Sequence, residues 1–345
     1  MGHVAAVTGA SGGVGRATAR ELAARGFDVG LIARGEAGLE GAAADVRAAG
    51  TRALTCPSDV ADHVEVDQAA CRIEEQLGPI DVWINDAMTT VFSTVAAVDP
   101  GDFRRAVEVT FLGQVWGTMA ALDRMRPRDR GAIVNVGSAL AFIGIPLQSA
   151  YCASKFACRG FFESTRAELL HDRSNVRISM VHLPAVNTPQ FGWCKNNTGR
   201  AAMPVPPVYQ PELAARRIVD VALDGRRAKI VGSWNTLLVL LAERFPGLAN
   251  QYAAIGAWDA QLGAPEPAPD PPVNLCAPVD EDRDFGAHGH FDDRAGGFFD
   301  PQYLRTLPNT ARTFAVAVGS TMADKTARLR GRPRSGLAPR RAPDR

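Results

Sequence analysis

Short apolar segments alternate with amphipathic stretches as far as residue 232, and no other feature constrains the fold so strongly. Several of the apolar segments are apolar nearly throughout, which is typical of parallel strands covered on both faces. The pattern predicts strands at 3–8, 27–33, 51–56, 80–85, 132–137, 176–183 and 229–231. It predicts helices at 14–25, 37–49, 63–77, 100–126, 150–171 and 211–223. This alternation indicates an α/β fold built on a doubly wound parallel sheet.

After residue 232 the sequence changes character. Two further helices are predicted at 235–245 and 248–262, and a stretch rich in proline and glycine follows them. The end of the chain carries eight basic residues and one acid, so we expect a disordered tail there. The expected units are the α/β domain, a helical extension, an irregular extension and the tail, at 1–232, 233–262, 263–324 and 325–345.

A glycine-rich loop joins the first predicted strand to the first predicted helix. Glycine permits a tight turn, close approach of backbone N–H groups to a pyrophosphate, and close packing of helix on strand. At the start of a strand–helix–strand unit, the loop favours dinucleotide binding over a chance glycine-rich turn. The residues expected to contact the cofactor here are Gly9, Ser11, Gly12, Gly13, Val14 and Gly15.

The end of the second predicted strand bears on which nicotinamide cofactor is used. An acid is expected about twenty residues after the loop, where it holds the adenosine ribose hydroxyls, but the strand ends in Arg34. Asp28 lies at the other end of that strand, roughly 20 Å away at about 3.3 Å per residue. Because a guanidinium at this point suits a 2′-phosphate, the sequence favours NADP(H) over NAD(H).

Tyr151 and Lys155 are four residues apart at the start of a predicted helix and therefore share one face. A phenol titrates near pH 10, so its pKa must fall by about 3 for acid–base work at neutral pH, and a nearby ammonium favours that fall. Ser138 ends the fifth predicted strand, where its hydroxyl can bond the oxygen that Tyr151 protonates. The Tyr-x-x-x-Lys spacing is common by chance, but here it accompanies Ser138, the glycine loop and a chain with only four lysines.

These motifs resemble the short-chain dehydrogenase/reductase family over roughly residues 3 to 232. Thr8 and the loop glycines match the family's Thr-Gly-x-x-x-Gly-x-Gly, and Ser138, Tyr151 and Lys155 match its catalytic Ser, Tyr and Lys. The resemblance implies that Lys155 also holds the nicotinamide ribose. It further implies cofactor contacts, to adenine or around the nicotinamide, from Asp59, Val60, Asn85, Ala87, Pro184, Val186 and Thr188.

The loop also fits a second branch of that family. Gly9, Gly12 and Gly15 match the Thr-Gly-x-x-Gly-x-x-Gly of the extended branch, the nucleotide-sugar epimerases and dehydratases. That branch places its Ser or Thr much further before the tyrosine than thirteen residues, and it usually carries an acid after the second strand. The sequence therefore favours the shorter, oxidoreductase branch with a C-terminal extension.

Three positions depart from the family pattern. The family's Asn-Asn-Ala-Gly is Asn85-Asp86-Ala87-Met88, and its Pro-Gly after the sixth strand is Pro184-Ala185. The helix-borne asparagine that anchors a proton-relay water aligns with Thr110. A threonine hydroxyl can still bond a water, with different donor geometry, so Thr110 is kept as a candidate catalytic residue.

The predicted function is NADP(H)-dependent interconversion of an alcohol and a ketone or aldehyde, with Tyr151 as the acid/base. The alternative is a cofactor-binding scaffold or redox sensor with little turnover, which the loss of the relay asparagine supports. The segment 190–206 follows Thr188 and is expected to close as a lid over the substrate. Its apolar residues Phe191, Trp193 and Met203, with Phe142, Ile143 and Ile145 as a second wall, predict a small uncharged substrate.

Other classes of function find little support. A net charge of +1 gives no general attraction to nucleic acid, and the six cysteines form no metal-ligand spacing, so no metal is expected. The apolar run at 237–242 is too short to span a bilayer, and the N-terminus lacks the features of a signal peptide. We therefore expect a cytoplasmic protein, and the family resemblance implies a homodimer or homotetramer.

Overall fold

The computed structural model describes residues 2–265 and 272–296. Seven strands form one sheet, and every pairing between neighbours in it is parallel. The strands are β1 His3–Thr8, β2 Phe27–Ala33, β3 Ala53–Pro57, β4 Ile80–Asn85, β5 Ala132–Ser138, β6 Arg177–Leu183 and β7 Ala228–Ile230. Their order across the sheet is β7-β6-β5-β4-β1-β2-β3, so the predicted doubly wound fold is confirmed. The order reverses between β1 and β4, and in such sheets ligands bind beside the strand ends at this point.

Helices cover both faces of the sheet. They are α1 Gly13–Ala24, α2 Glu36–Ala48, α3 His63–Gln76, α4 Pro100–Val107, α5 Gly113–Met125, α6 Ser149–His171, α7 Pro211–Asp224, α8 Ser233–Arg244 and α9 Pro246–Tyr252. Side chains of α1, α2 and α7 form one apolar core with the sheet, and those of α3, α5 and α6 form the other. All seven residues of β2 are buried, as expected of a parallel strand between two helical layers.

Two predicted helices are interrupted. The predicted helix at 100–126 is divided into α4 and α5 by a π-helical turn, Glu108–Leu112, which contains Thr110. The predicted helix at 248–262 ends as α9 at Tyr252 and continues through a second π-helical turn, Ala253–Ala257. Apolar periodicity does not distinguish a π turn from α-helix over so few residues, and π turns frequently occur at functional sites.

The irregular extension returns to the α/β domain. Leu262–Pro265 pairs antiparallel with Arg200–Ala202 of the predicted lid. Residues 272–296, which we call the strap, contain one short 3₁₀ turn and cross the edge of the sheet at the C-terminal ends of β1 and β2. The predicted tail at 325–345 lies outside the described residues.

Within residues 2–265 and 272–296, no helix is both long and apolar enough to cross a membrane.

Candidate active site

A cavity of about 680 Å³ runs along the edge of the sheet where the strands end. The loops after β1 to β6 line it, together with the lid, helices α8 and α9, and the strap. Most of the residues predicted from sequence to form the site lie on its wall. These are Gly9, Ser11, Gly12, Gly13, Val14, Arg34, Asp59, Val60, Ala87, Ser138, Tyr151, Lys155, Pro184, Val186 and Thr188.

The glycine loop has the geometry of an anion site. Gly9 has φ +71°, a backbone angle that residues with a side chain rarely adopt, and a Cβ there would lie 2.8 Å from the Ala87 Cα. Gly15 lies behind the cavity wall, where a Cβ would come within 2.2 Å of the Gly9 carbonyl oxygen. Helix α1 begins against the cavity with Gly12 as its N-cap, and no side chain caps the N–H groups of its first turn. These backbone donors and the helix dipole suit a pyrophosphate.

Three predicted catalytic side chains meet at the other end of the cavity. Ser138 is the last residue of β5, and Tyr151 and Lys155 lie in the first two turns of α6. The Ser138 hydroxyl lies close enough to the Tyr151 phenol to lower its pKa, and both residues line the cavity. Lys155, only 1% exposed, donates from Nζ to the Val136 carbonyl oxygen at 2.8 Å and lies 5.6 Å from the centre of the Tyr151 ring.

Burial governs the protonation of this group. Burial raises the pKa of the Tyr151 phenol, and hydrogen bonding by Ser138 opposes the rise without cancelling it. Burial lowers the pKa of Lys155, while electrostatic interaction with Cys158 and Asp86 opposes the fall. With its pKa raised, the phenol is protonated and neutral at neutral pH. Tyr151 therefore carries the proton that a carbonyl oxygen would take up.

Asp86 is an acid in the cavity that sequence reasoning passed over. It follows β4 and lines the cavity between the glycine loop and Lys155. Burial raises the pKa of its carboxyl to about 7, although the Lys155 charge and the Gly15 N–H oppose the rise. The sequence signal was present, since Asp86 replaces an asparagine of the family pattern.

Three predicted site residues do not line the cavity: Gly15, which lies behind its wall, Thr110 and Asn85. Thr110 is fully buried, and its hydroxyl donates to the Thr89 carbonyl oxygen at 2.7 Å and accepts from the Thr89 N–H at 3.0 Å. Asn85 is also fully buried; its side-chain oxygen accepts from the Trp83 indole at 2.7 Å, and its amide donates to Asn135 at 2.8 Å. Both side chains therefore support the cavity wall from behind.

Arg34 lines the cavity where the second strand ends, as the sequence predicts, but its guanidinium already has partners. It donates to the backbone carbonyl oxygens of Asn274, Leu275 and Cys276 in the strap, at 3.3 Å for Leu275 and 3.0 Å for Cys276. Burial lowers its pKa, with Asp59 among the charges that oppose the fall. The strap is thus bound to the residue expected to choose between NADP(H) and NAD(H).

The strap supplies three residues of the cavity wall that sequence reasoning missed: Asn274, Val279 and Asp280. Its Gly286 carbonyl oxygen accepts from the Gly13 N–H at 3.3 Å, next to the start of α1. Because the contacts of the strap join residues about 240 to 273 positions apart and use backbone carbonyl oxygens, no local sequence motif predicts them.

The lid and the helical extension enclose the end of the cavity nearest Tyr151. Ile143 and Ile145 line it as predicted, whereas Phe142 packs with its ring 4.6 Å from that of His182. Apolar and aromatic side chains from the lid and from α8 and α9 complete the wall, among them Phe191, Trp193, Met203, Trp234, Leu238, Phe245 and Tyr252.

The two basic residues of the lid do not line the cavity. Lys195 belongs to a short strand, Lys195–Asn196, and Arg200 donates from Nε to the Gly263 carbonyl oxygen at 2.9 Å. The charged residues on the described wall belong to the loops after the strands, to α6 and to the strap; they are Arg34, Asp59, Asp86, Lys155 and Asp280. In the part of the chain that the structure describes, no cluster of His, Cys, Asp and Glu can hold a metal ion.

Known proteins that are similar to this chain are oxidoreductases. Residues 3–197 match the family model described as short chain dehydrogenase. The uncharacterized oxidoreductase YxnA of Bacillus subtilis is 31% identical over 72% of this chain and 70% of its own length. Human 17-beta-hydroxysteroid dehydrogenase 13 is 28% identical over 72% and 81%, and 3-dehydrosphinganine reductase of Danio rerio is 32% identical over 64% and 68%.

Proposed function

This chain belongs to the short-chain dehydrogenase family, and from that premise we propose that it interconverts an alcohol and a ketone or aldehyde with NADP(H). Family membership makes it an NAD(P)-dependent oxidoreductase acting on CH–OH groups. One observation carries the specific proposal: Ser138, Tyr151 and Lys155 meet at one end of a cavity whose other end is the glycine loop.

The proposed chemistry assigns one task to each side chain. A bound nicotinamide supplies or accepts the hydride. In the reducing direction Tyr151 donates its proton to the carbonyl oxygen, and the Ser138 hydroxyl donates a hydrogen bond to that same oxygen. Lys155 holds a positive charge 5.6 Å from the centre of the Tyr151 ring and stabilises the phenolate that remains after proton transfer.

The preference for NADP(H) is supported by the end of β2. The strand itself carries no acid there, and Arg34 lines the cavity with a guanidinium that suits a 2′-phosphate. Such a phosphate would take the guanidinium from the strap carbonyls that it now contacts.

A hydrophobic, uncharged substrate is supported by the wall near Tyr151. That wall comes from the lid, α8 and α9, and among the described residues it presents apolar, aromatic and uncharged polar side chains. Two relatives are named for a hydroxysteroid and for 3-dehydrosphinganine, molecules with large hydrocarbon parts. We therefore propose bulky apolar ketones or alcohols as the substrate class, in preference to phosphorylated or CoA-linked compounds.

A scaffold or redox sensor with little turnover is the second candidate. One observation favours it: the Thr110 hydroxyl is bonded to both backbone groups of Thr89, so it offers no free donor for a relay water. Turnover separates the two candidates. We expect wild type to oxidise NADPH with at least some bulky uncharged ketones and Tyr151→Phe to do so about a hundredfold more slowly or worse, whereas a scaffold would bind NADPH without oxidising it under any condition.

We also propose an oligomeric state and a cellular location, from the exposed side chains of two helices and from the cysteines. A homodimer or homotetramer through α5 and α6 is supported by Met119 and Phe156, which are 50% and 45% exposed on those helices. None of the six cysteines, all of which lie in the described part of the chain, is joined in a disulfide, which supports a cytoplasmic location.

A further inference from the structure

The strap places a carboxylate where β2 lacks one. Asp280 lies against Gly35 and Gly38, which immediately follow the end of β2 and Arg34. A Cβ at Gly35 would come within 2.0 Å of one carboxylate oxygen of Asp280, and a Cβ at Gly38 within 2.3 Å of the other. Gly35 has φ −77°, which any residue adopts, so the requirement for glycine there comes from the space that Asp280 fills.

Backbone hydrogen bonds hold Asp280 in this position. The Gly38 N–H donates to the Asp280 carbonyl oxygen at 3.0 Å, and the Ala37 N–H donates to the Glu281 carbonyl oxygen at 3.1 Å. On the other side, Arg34 binds the strap through the Leu275 and Cys276 carbonyl oxygens. The strap is thus fixed on both sides of Asp280, which makes the position of the carboxylate well defined.

The Asp280 side chain faces the cavity. The residue is only 7% exposed, and it lines the cavity together with Ser11 and Arg34. Among residues 2–265 and 272–296, no group donates a hydrogen bond to its carboxylate. A nearly buried carboxylate without a donor is costly, and a ligand with hydroxyl groups would remove that cost.

We propose that Asp280 is a specificity residue for the dinucleotide, supplying from the strap the acid that β2 lacks. Its carboxylate would accept hydrogen bonds from the adenosine ribose hydroxyls and repel a 2′-phosphate. Arg34 and Asp280 then act in opposite directions, and cofactor preference is the difference between them. This inference rests on the proposed dinucleotide function and limits the preference for NADP(H) that Arg34 alone would give.

The test uses two adenosine fragments that need no catalysis. Adenosine 2′,5′-bisphosphate and AMP differ only in the 2′-phosphate, so the ratio of their dissociation constants reports on the residues around the adenosine ribose. Both are titrated by calorimetry into wild type, Asp280→Asn and the matched control Asp282→Asn, which changes an exposed acid on the same strap. Gly35→Ala, which keeps Asp280 but removes the space for it, is a fourth protein.

Asp280→Asn should increase the affinity for the bisphosphate relative to AMP by about tenfold or more at low salt. Gly35→Ala should change this relative affinity in the same direction. Asp282→Asn should leave the ratio unchanged. An unchanged ratio in Asp280→Asn, or an equal loss of affinity for both fragments, would overturn the assignment. Wild type that binds neither fragment would instead overturn the proposed dinucleotide function, and this inference with it.

Discussion

Lys155 donates a hydrogen bond to the Val136 carbonyl oxygen, two residues before Ser138 on the same strand. The bond ties the start of α6 to the end of β5, so one ammonium fixes the helix that carries Tyr151 relative to the strand that carries Ser138. The same carbonyl oxygen also accepts from the Gln114 side chain at 2.8 Å, so it keeps a partner when the lysine is removed.

Lys155→Met keeps the length of this side chain and removes its charge. We expect kcat to fall by about a hundredfold or more, because the phenolate of Tyr151 loses its nearby cation. Cofactor affinity should fall as well, since the family resemblance gives Lys155 the nicotinamide ribose. Steady-state kinetics and NADPH titration measure the two effects, with thermal unfolding as the control for folding. Unchanged kcat in a folded variant would remove Lys155 from the proposed mechanism.

Asp86 should make stability depend on pH. Its pKa in the folded protein is about 7, against about 3.9 for a free Asp, so the folded state binds an extra proton between these values. The stability that this proton gives is complete below about pH 4 and is lost as the pH rises through 7.

Asp86→Asn, which cannot ionise, should therefore become more stable relative to wild type as the pH rises from 5 to 8, by about 2–4 kcal/mol. Denaturant unfolding at several pH values measures this difference. A constant difference across that range would show that Asp86 titrates outside it.

Thr110→Ala should act mainly on stability. The threonine hydroxyl bonds both the carbonyl oxygen and the N–H of Thr89, and the variant leaves these buried backbone groups unpaired. We expect a loss of about 1–3 kcal/mol in unfolding free energy and a smaller fall in kcat than at Tyr151 or Lys155. Thr110→Ser, which keeps the hydroxyl, is the control. A fall in kcat as large as that of Lys155→Met, without loss of stability, would place Thr110 in the proton relay.

Trp193 should shape the preference for substrates. It lines the cavity, and its ring packs edge-on against Phe285 of the strap with centres 5.2 Å apart. Trp193→Ala should lower kcat/KM for bulky alicyclic or aromatic ketones by about tenfold, because apolar contact area and water exclusion are both lost. Trp258→Ala is the matched control, since Trp258 is 41% exposed and does not line the cavity. Equal effects of the two changes, or a wild-type preference for short keto acids or acyl-thioesters, would contradict the proposed substrate class.

Periodicity predicted the sheet well because buried parallel strands are apolar on both faces. The predicted bounds of β1, β2 and β4 match the observed strands. The π turn at Thr110 was not predicted, since it interrupts a helix without changing which side chains are apolar. The residues of the glycine loop and of the Ser–Tyr–Lys group could be located because each follows a strand or starts a helix that the pattern defines.

The positions of the other site residues depend on tertiary contacts, which sequence patterns do not show. Asn85 follows its strand as predicted, but its amide turns into a buried polar network with Trp83 and Asn135. The strap could not be placed, because its contacts with Arg34 and Gly38 use backbone carbonyl oxygens, which any sequence provides. Gly35 and Gly38 were the available signal, and their meaning depends on the distant Asp280.

The most direct test of the account is Tyr151→Phe, which keeps the ring and removes the proton. A bulky uncharged ketone that wild type reduces with NADPH serves as substrate, and NADPH affinity is measured on the same preparations. We expect kcat to fall by about a hundredfold or more while the NADPH dissociation constant stays within about twofold of wild type. A variant that binds NADPH normally and keeps more than about a tenth of wild-type kcat would show that another group supplies the proton.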